Sequence, residues 1–197
     1  MKKWIVFLFL LGTVTVASAD QLALVNDPYG VTGPYGMSLN SGPTGPMICF
    51  SDANEITVGE SWTVQAFTIA TIASAPAPFN FSATIYNEVG YLANELFLNP
   101  GNSDIQNAIW FADGTGGQSN SYLTGAVTAV VTDGYVTSDT FYIPVCAGGG
   151  TSCYLDNSDY PDGIPQPFAA VPEPASLLLL GSGLLALGGT LRRKLRF

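Results

Sequence analysis

Near each end the chain carries an uncharged, largely apolar run, Trp4 to Val16 and residues 175–191, and between them hydrophobic positions come only in short periodic groups. Residues 26–46 are broken by repeated Gly-Pro and Pro-Tyr-Gly turns, so any strands there must be short. A brief apolar run surrounds Cys49 in residues 45–52. From Ile56 to Ile72, Trp62, Val64 and Ala66 alternate with Thr63 and Gln65, which predicts two strands joined at a Val58-Gly59-Glu60 turn, with a loop over residues 74–78. The period then changes. Ile85, Val89, Leu92 and Leu96 stand at helical spacing within residues 82–98, and Asn99-Pro100-Gly101 stops that helix. Ser103 is placed to cap a second helix, Asp104 to Ala112, with its acid in the first turn where the helix dipole favours it. Gln106, Ile109 and Trp110 share one face of that helix. Residues 121–131 fit helix or strand, and Tyr135 to Val145 is a β-branched and aromatic strand.

The fold class that follows is mainly β, a barrel or sandwich with a helical hairpin inserted at about residues 82–112 (α+β), plus a C-terminal transmembrane helix at 175–191. The first 19 residues read as a secretory signal peptide: Lys2 and Lys3, the apolar run, then the cleavage triplet Ala17-Ser18-Ala19. The expected organisation is therefore a signal peptide at 1–19, a β-rich ectodomain at 20–155, an acidic, Pro-rich linker at 156–170, and a C-terminal segment at 171–197. The ectodomain and linker, about 150 residues, are enough for one domain with a core. Spacing repeats of a solenoid are absent from the sequence.

Charge changes the picture by exclusion. Residues 20–171 contain no Lys, Arg or His, while fourteen of the fifteen acids lie there. Without His there is no Ser/His/Asp or Cys/His arrangement and no imidazole metal site. Without Lys or Arg there is no phosphate clamp, and an acidic surface repels nucleic acid. No cofactor or metal is expected, and nearly all ordinary enzymology is ruled out. Glu88 and Glu95, two helical turns apart, read as solvated rather than as a paired-carboxylate hydrolase. Asp156, Asp159 and Asp162 miss the spacing of a calcium loop and read as linker.

At the C-terminus the order is Val171-Pro172-Glu173-Pro174, a Gly-interrupted apolar stretch, then Arg192, Arg193, Lys194 and Arg196. Seventeen residues of helix reach roughly 26 Å, near the lower limit for a bilayer core, and the basic cluster holds the cytoplasmic side. By residues alone this is a membrane anchor. Its three-part order resembles the PEP-CTERM sorting signal over residues 171–197, a tail that also ends some ice-binding proteins. The resemblance implies export, a pause in the inner membrane with the ectodomain periplasmic or extracellular, and Pro172, Glu173 and Pro174 read by an exosortase after signal peptidase has acted.

Three cysteines leave one over in an oxidising compartment. Cys146 and Cys153, separated by a Gly-rich loop, are the expected disulfide, which leaves Cys49 as either a buried small hydrophobe or a reactive thiol. Ile48-Cys49-Phe50-Ser51-Asp52, with Ile105-Gln106-Asn107-Ala108-Ile109-Trp110 far downstream, resembles the signature of bacterial thioester domains, adhesin modules in which a Cys thiol joins a Gln side chain. Ala108, Trp110 and the Tyr91–Leu96 helix fit that pattern. Ile48 in place of an aromatic, the acid three positions after Cys49 rather than two, and Ile105 in place of Thr depart from it. The resemblance implies a Cys49–Gln106 thioester that an amine-bearing surface or matrix ligand opens, and a domain without Lys cannot attack its own thioester through a side-chain amine. The alternative is a non-covalent binding module, for polysaccharide or ice, in which Gln106 packs beneath Trp110 and Cys49 is inert.

Overall fold

Alternation decides which way each strand faces. In Thr44–Cys49 (β3), Met47 and Cys49 join one hydrophobic cluster, and Ile48 between them joins the other. A computed structural model describes residues 19–52, 56–145 and 165–172. In it, Asp20–Asn26 (β1), Tyr35–Leu39 (β2), β3, Ser61–Phe67 (β4), Thr140–Pro144 (β5) and Phe168–Ala170 (β6) form a closed antiparallel barrel in the order β1-β2-β3-β6-β5-β4. Its interior is filled by Leu22, Leu24, Met37, Met47, Cys49, Trp62, Val64 and Phe168, and closure leaves no unpaired sheet edge.

Three helices between β4 and β5 cover the other face: Ala83–Leu98 (α1), Ser103–Ala112 (α2) and Ser121–Val127 (α3). Tyr86, Val89, Leu92 and Leu96 of α1, with Ile105, Ala108 and Ile109 of α2, pack on Ile48, Phe50, Phe141 and Ile143 of the barrel. Phe50, Tyr86 and Phe141 meet edge to face, with ring centroids 4.8–5.8 Å apart. The Ser82 hydroxyl caps α1 by accepting from the Ile85 N–H.

The structure departs from expectation in five places, each for a local reason. One strand, β4, stands where two were expected between residues 56 and 72. Thr57 to Glu60 is a turn closed on itself, and after Phe67 the hydroxyls of Thr71 and Ser74 bond neighbouring backbone and wind the chain into a short 3-10 turn. The strand expected over residues 135–145 shortens to β5, because the Thr137 N–H donates to Asn87 of α1 and the Asp139 N–H to Thr137 Oγ1. Asn102 rather than Ser103 caps α2, accepting from the Asp104 and Ile105 N–H groups. The helical hairpin is a three-helix insertion that runs through α3 into a π turn at Thr128–Thr132.

The fifth departure closes the barrel. Residues 156–170 do not form a linker throughout, and the ectodomain does not stop at 155. Pro165, Gln166 and Pro167 are buried, and β6 closes the barrel by pairing Ile48 with Ala169 and Cys49 with Phe168. Phe168 is fully buried against Tyr35 and Trp62, and that burial draws the segment in. The signal peptide, the Cys146–Cys153 pairing and the 175–191 helix lie outside the described residues. Among the described residues no helix is long and apolar enough to cross a membrane.

Candidate functional site

Cys49 ends β3, and Gln106 sits one turn into α2, on the face that α2 turns to the barrel. The fold brings them into contact. The Gln106 carboxamide is fully buried: its Nε2–H donates to the Cys49 carbonyl at 2.9 Å, and its Oε1 accepts from the Gly33 N–H at 3.1 Å. Both ends of the amide are therefore fixed by backbone. Gly33 permits this approach, since a Cβ there would lie 3.4 Å from Gln106 Oε1 and 3.3 Å from Ile48 Cδ1.

The thiol's own partners are different. Cys49 Sγ lies 3.1 Å from Gln166 Oε1 and 3.2 Å from the Ser51 carbonyl, and is 0% exposed. Burial pushes this thiol up to about 12, against the Ser51 backbone bond and the Trp110 indole, which favour the thiolate. The indole N–H stands close enough to the sulfur to act on it electrostatically but makes no well-formed hydrogen bond among the described residues. Asp113 and Asp52 raise the thiol further through their negative charge. Cys49 thus rests as a neutral thiol.

Asp113, the C-cap of α2, is 7% exposed and buried, and the described residues include no Lys, Arg or His to counter its charge. Its Oδ1 accepts from the Thr115 N–H at 2.9 Å and the Thr115 hydroxyl at 2.7 Å, while Oδ2 has no partner among the described residues. Desolvation lifts its carboxyl to about 7, the Thr115 bonds opposing and Asp52 adding to the rise. Thr115 also accepts from the Asp52 N–H, so one hydroxyl ties the segment after Cys49 to the end of the helix that carries Gln106.

A cleft of about 320 Å³ opens beside these groups, lined by Asp27, Val31, Tyr35, Asp52, Trp110 and Gln166 among others. Three of its walls, Tyr35, Trp110 and Gln166, belong to the surroundings of Cys49. A buried thiol, a carboxamide whose carbonyl oxygen already faces an N–H donor, and an adjoining cleft are the elements of acyl transfer without an imidazole.

Sequence reasoning missed Gly33, Gln166 and Asp113. Gly33 lies among repeated turn glycines, Gln166 in a Pro-Gln-Pro stretch that reads as linker, and Asp113 in an Asp-Gly turn. Of the sorting residues, Pro172 stands two residues after the end of β6, whereas Glu173, Pro174, Arg192, Arg193 and Lys194 lie outside the described residues, as do Cys146 and Cys153. Among the described residues no three His, Cys, Asp or Glu side chains come together to hold a metal ion.

Comparison with known proteins finds the PEP-CTERM protein-sorting motif at residues 170–194. That motif implies an exported protein with an exosortase as its sorting partner. No curated protein and no solved structure matches the chain.

Proposed function

We propose that this exported, exosortase-sorted protein works in the cell envelope or extracellular matrix as a covalent adhesin, through a thioester between Cys49 and Gln106. The observation that supports the reading is the Gln106 carboxamide, held rigidly on the Cys49 carbonyl with its oxygen on the Gly33 N–H. In the forward step the Cys49 sulfur turns from Gln166 to the Gln106 side-chain carbon and attacks it. The C–S bond forms, the C–N bond breaks, and the thiol proton leaves with the amide nitrogen as ammonia. The Gly33 N–H faces the oxygen on which negative charge gathers. Proximity replaces a strong base here. An amine on a surface or matrix ligand, reaching the site through the cleft, then attacks the thioester carbon, forms an amide at Gln106 and returns the Cys49 thiol.

The test is intact mass of the exported protein, followed by exposure to a small primary amine. The expected result is a chain lighter by one ammonia, resistant to alkylation at Cys49, that gains the amine at Gln106 as the thiol reappears. A chain of full mass whose Cys49 alkylates at once overturns the thioester. The cleft would then serve a non-covalent binding module.

A further inference from the structure

Every neighbouring pair in the barrel is antiparallel, so strand directions alternate around it. One end, the base, therefore gathers the starts of β1, β3 and β5 and the ends of β2, β4 and β6. Asp20, where the signal peptide is expected to be cut, and Ala170, where the sorting motif begins, both lie at the base. The cleft lies at the other end. Asp27 and Val31 belong to the loop from β1 to β2, Tyr35 begins β2, Asp52 follows β3, Ile56 precedes β4 and Gln166 precedes β6. Cys49, which ends β3, is at that end too.

The two ends differ in surface. Asp27, Asp52 and Glu60 lie at the cleft end, with the exposed side chains of Val25, Tyr29, Val31 and Val58. At the base, residues 40–44 are all exposed and carry no charge, and neither do residues 68–71. Asp20 accepts a hydrogen bond there from Asn40 Nδ2 at 2.8 Å. The link to the membrane is short. The motif starts on the last residue of β6, Val171 packs on the hydrophobic core, and the apolar run starts at Ala175, three residues after Pro172. Three residues span at most about 11 Å. A seven-residue strand such as β1 runs about 23 Å, and tilted by about 45° it rises about 16 Å. The link is shorter than the barrel is tall, so an inverted barrel could not be reached by its own tail.

We infer that the membrane-held chain stands on the base of its barrel, with residues 40–44 and 68–71 against the lipid headgroups and the cleft turned away from the bilayer. The inference rests on the membrane-anchored sorting that the motif implies, and not on the thioester. Exposed Tyr29, Val31 and Val58 would draw the cleft end towards lipid, but Asp27, Asp52 and Glu60 stand among them and anionic headgroups repel these acids. The uncharged base meets no such repulsion. The partner of the cleft is then a molecule that approaches from outside, on the side away from the membrane, and not a lipid of the membrane that holds the chain.

The experiment places a fluorescent coumarin side chain by codon reassignment at Thr44, on the base, or at Val31, beside the cleft; both positions are exposed, and the native cysteines stay untouched. The full chain, tail intact, is purified from cells without an exosortase and reconstituted into vesicles of phosphatidylcholine and phosphatidylglycerol that carry headgroup spin-labelled lipid. The probe at position 44 is expected to lose most of its fluorescence to the spin labels, and the probe at position 31 to keep most of its own. Inserting about twenty Gly and Ser residues between Val171 and Pro172 gives a link of roughly 25 Å and should bring the two probes level. Stronger quenching at position 31 would put the cleft on the membrane, and equal quenching in the parent chain would lay the barrel on its side; either overturns the inference. A preference for the base that survives the long link overturns the short link as its cause. A chain that stays in solution and does not float with the vesicles removes the membrane hold itself, a failure distinct from a bound chain in the wrong orientation.

Discussion

Replacing Asp113 by Asn should flatten the dependence of stability on pH, and the size of the effect follows from its surroundings. The parent carboxyl is buried, its Oδ2 faces no donor among the described residues, and the nearby titrating groups, Cys49, Asp52 and Tyr86, bring no positive charge. Folding raises its proton affinity from the usual 3.8 to about 7. A raised carboxyl binds its proton more tightly when folded, so the fold is favoured at low pH. That advantage is lost as pH climbs from the unfolded value towards the folded one, and above about 7 the loss is complete. At about 1.4 kcal/mol per tenfold change in proton affinity, this one group removes about 3 kcal/mol of stability between pH 5 and pH 8. Asp139, lifted by burial to about 6, adds about 1 kcal/mol in the same direction. The assay is urea unfolding followed by tryptophan fluorescence at both pH values. Asp113→Asn keeps an acceptor for the two Thr115 bonds and needs no ionisation, so it should lose about 3 kcal/mol less than the parent over that range. Equal losses in parent and variant would refute the reasoning and mean that the Asp113 carboxyl is solvated.

Four further outcomes can be checked. Gln106→Ala strands the Gly33 N–H and the Cys49 carbonyl in the core, and should cost about 2–5 kcal/mol by denaturant unfolding. Cys49→Ala removes one sulfur's packing, should cost about 1–2 kcal/mol, and should abolish amine capture with the fold intact. Phe168→Ala empties the barrel interior beside Tyr35 and Trp62, so a loss of about 3–5 kcal/mol is expected; a change below about 1 kcal/mol would mean that β6 does not close the barrel. Exported protein from cells with an exosortase should begin at Asp20 and lack the Arg-rich end, as read by terminal sequencing; the intact tail on all envelope-bound chains would leave a plain anchor.

What could be read from the sequence was whatever its neighbours in the chain determine. The spacing of Val89, Leu92 and Leu96 defines α1 because the buried stripe lies within one segment. Gln106 belongs to such a stripe, and its burial was legible. Its partners were not. Gly33 is 73 residues away, and nothing local distinguishes it from the turn glycines around it. The bond from Cys49 to Gln166 spans 117 residues and depends on a three-residue strand. So short a strand between prolines has no detectable period, and only pairing on both sides makes it a strand. Cys49 and Gln106 were paired in the sequence by resemblance, not by any period or spacing.

That short strand also sets how the domain would carry force. Pro172 of the sorting motif comes two residues after Ala170, so tension on the C-terminal segment enters the fold through β6. β6 lies between β3 and β5, antiparallel to both, and holds Cys49 and Phe141 in register on either side. A pull along its axis shears two ladders together instead of peeling one bond at a time, which is the stiffer geometry. The first barrel neighbour to feel that pull on one side is the strand that ends in Cys49, and the first side chain upstream of Phe168 beyond Pro167 is Gln166. C-terminal segment and thiol thus share one mechanical element, and a chain hauled by its tail would strain the surroundings of Cys49 before the strands farther round the barrel.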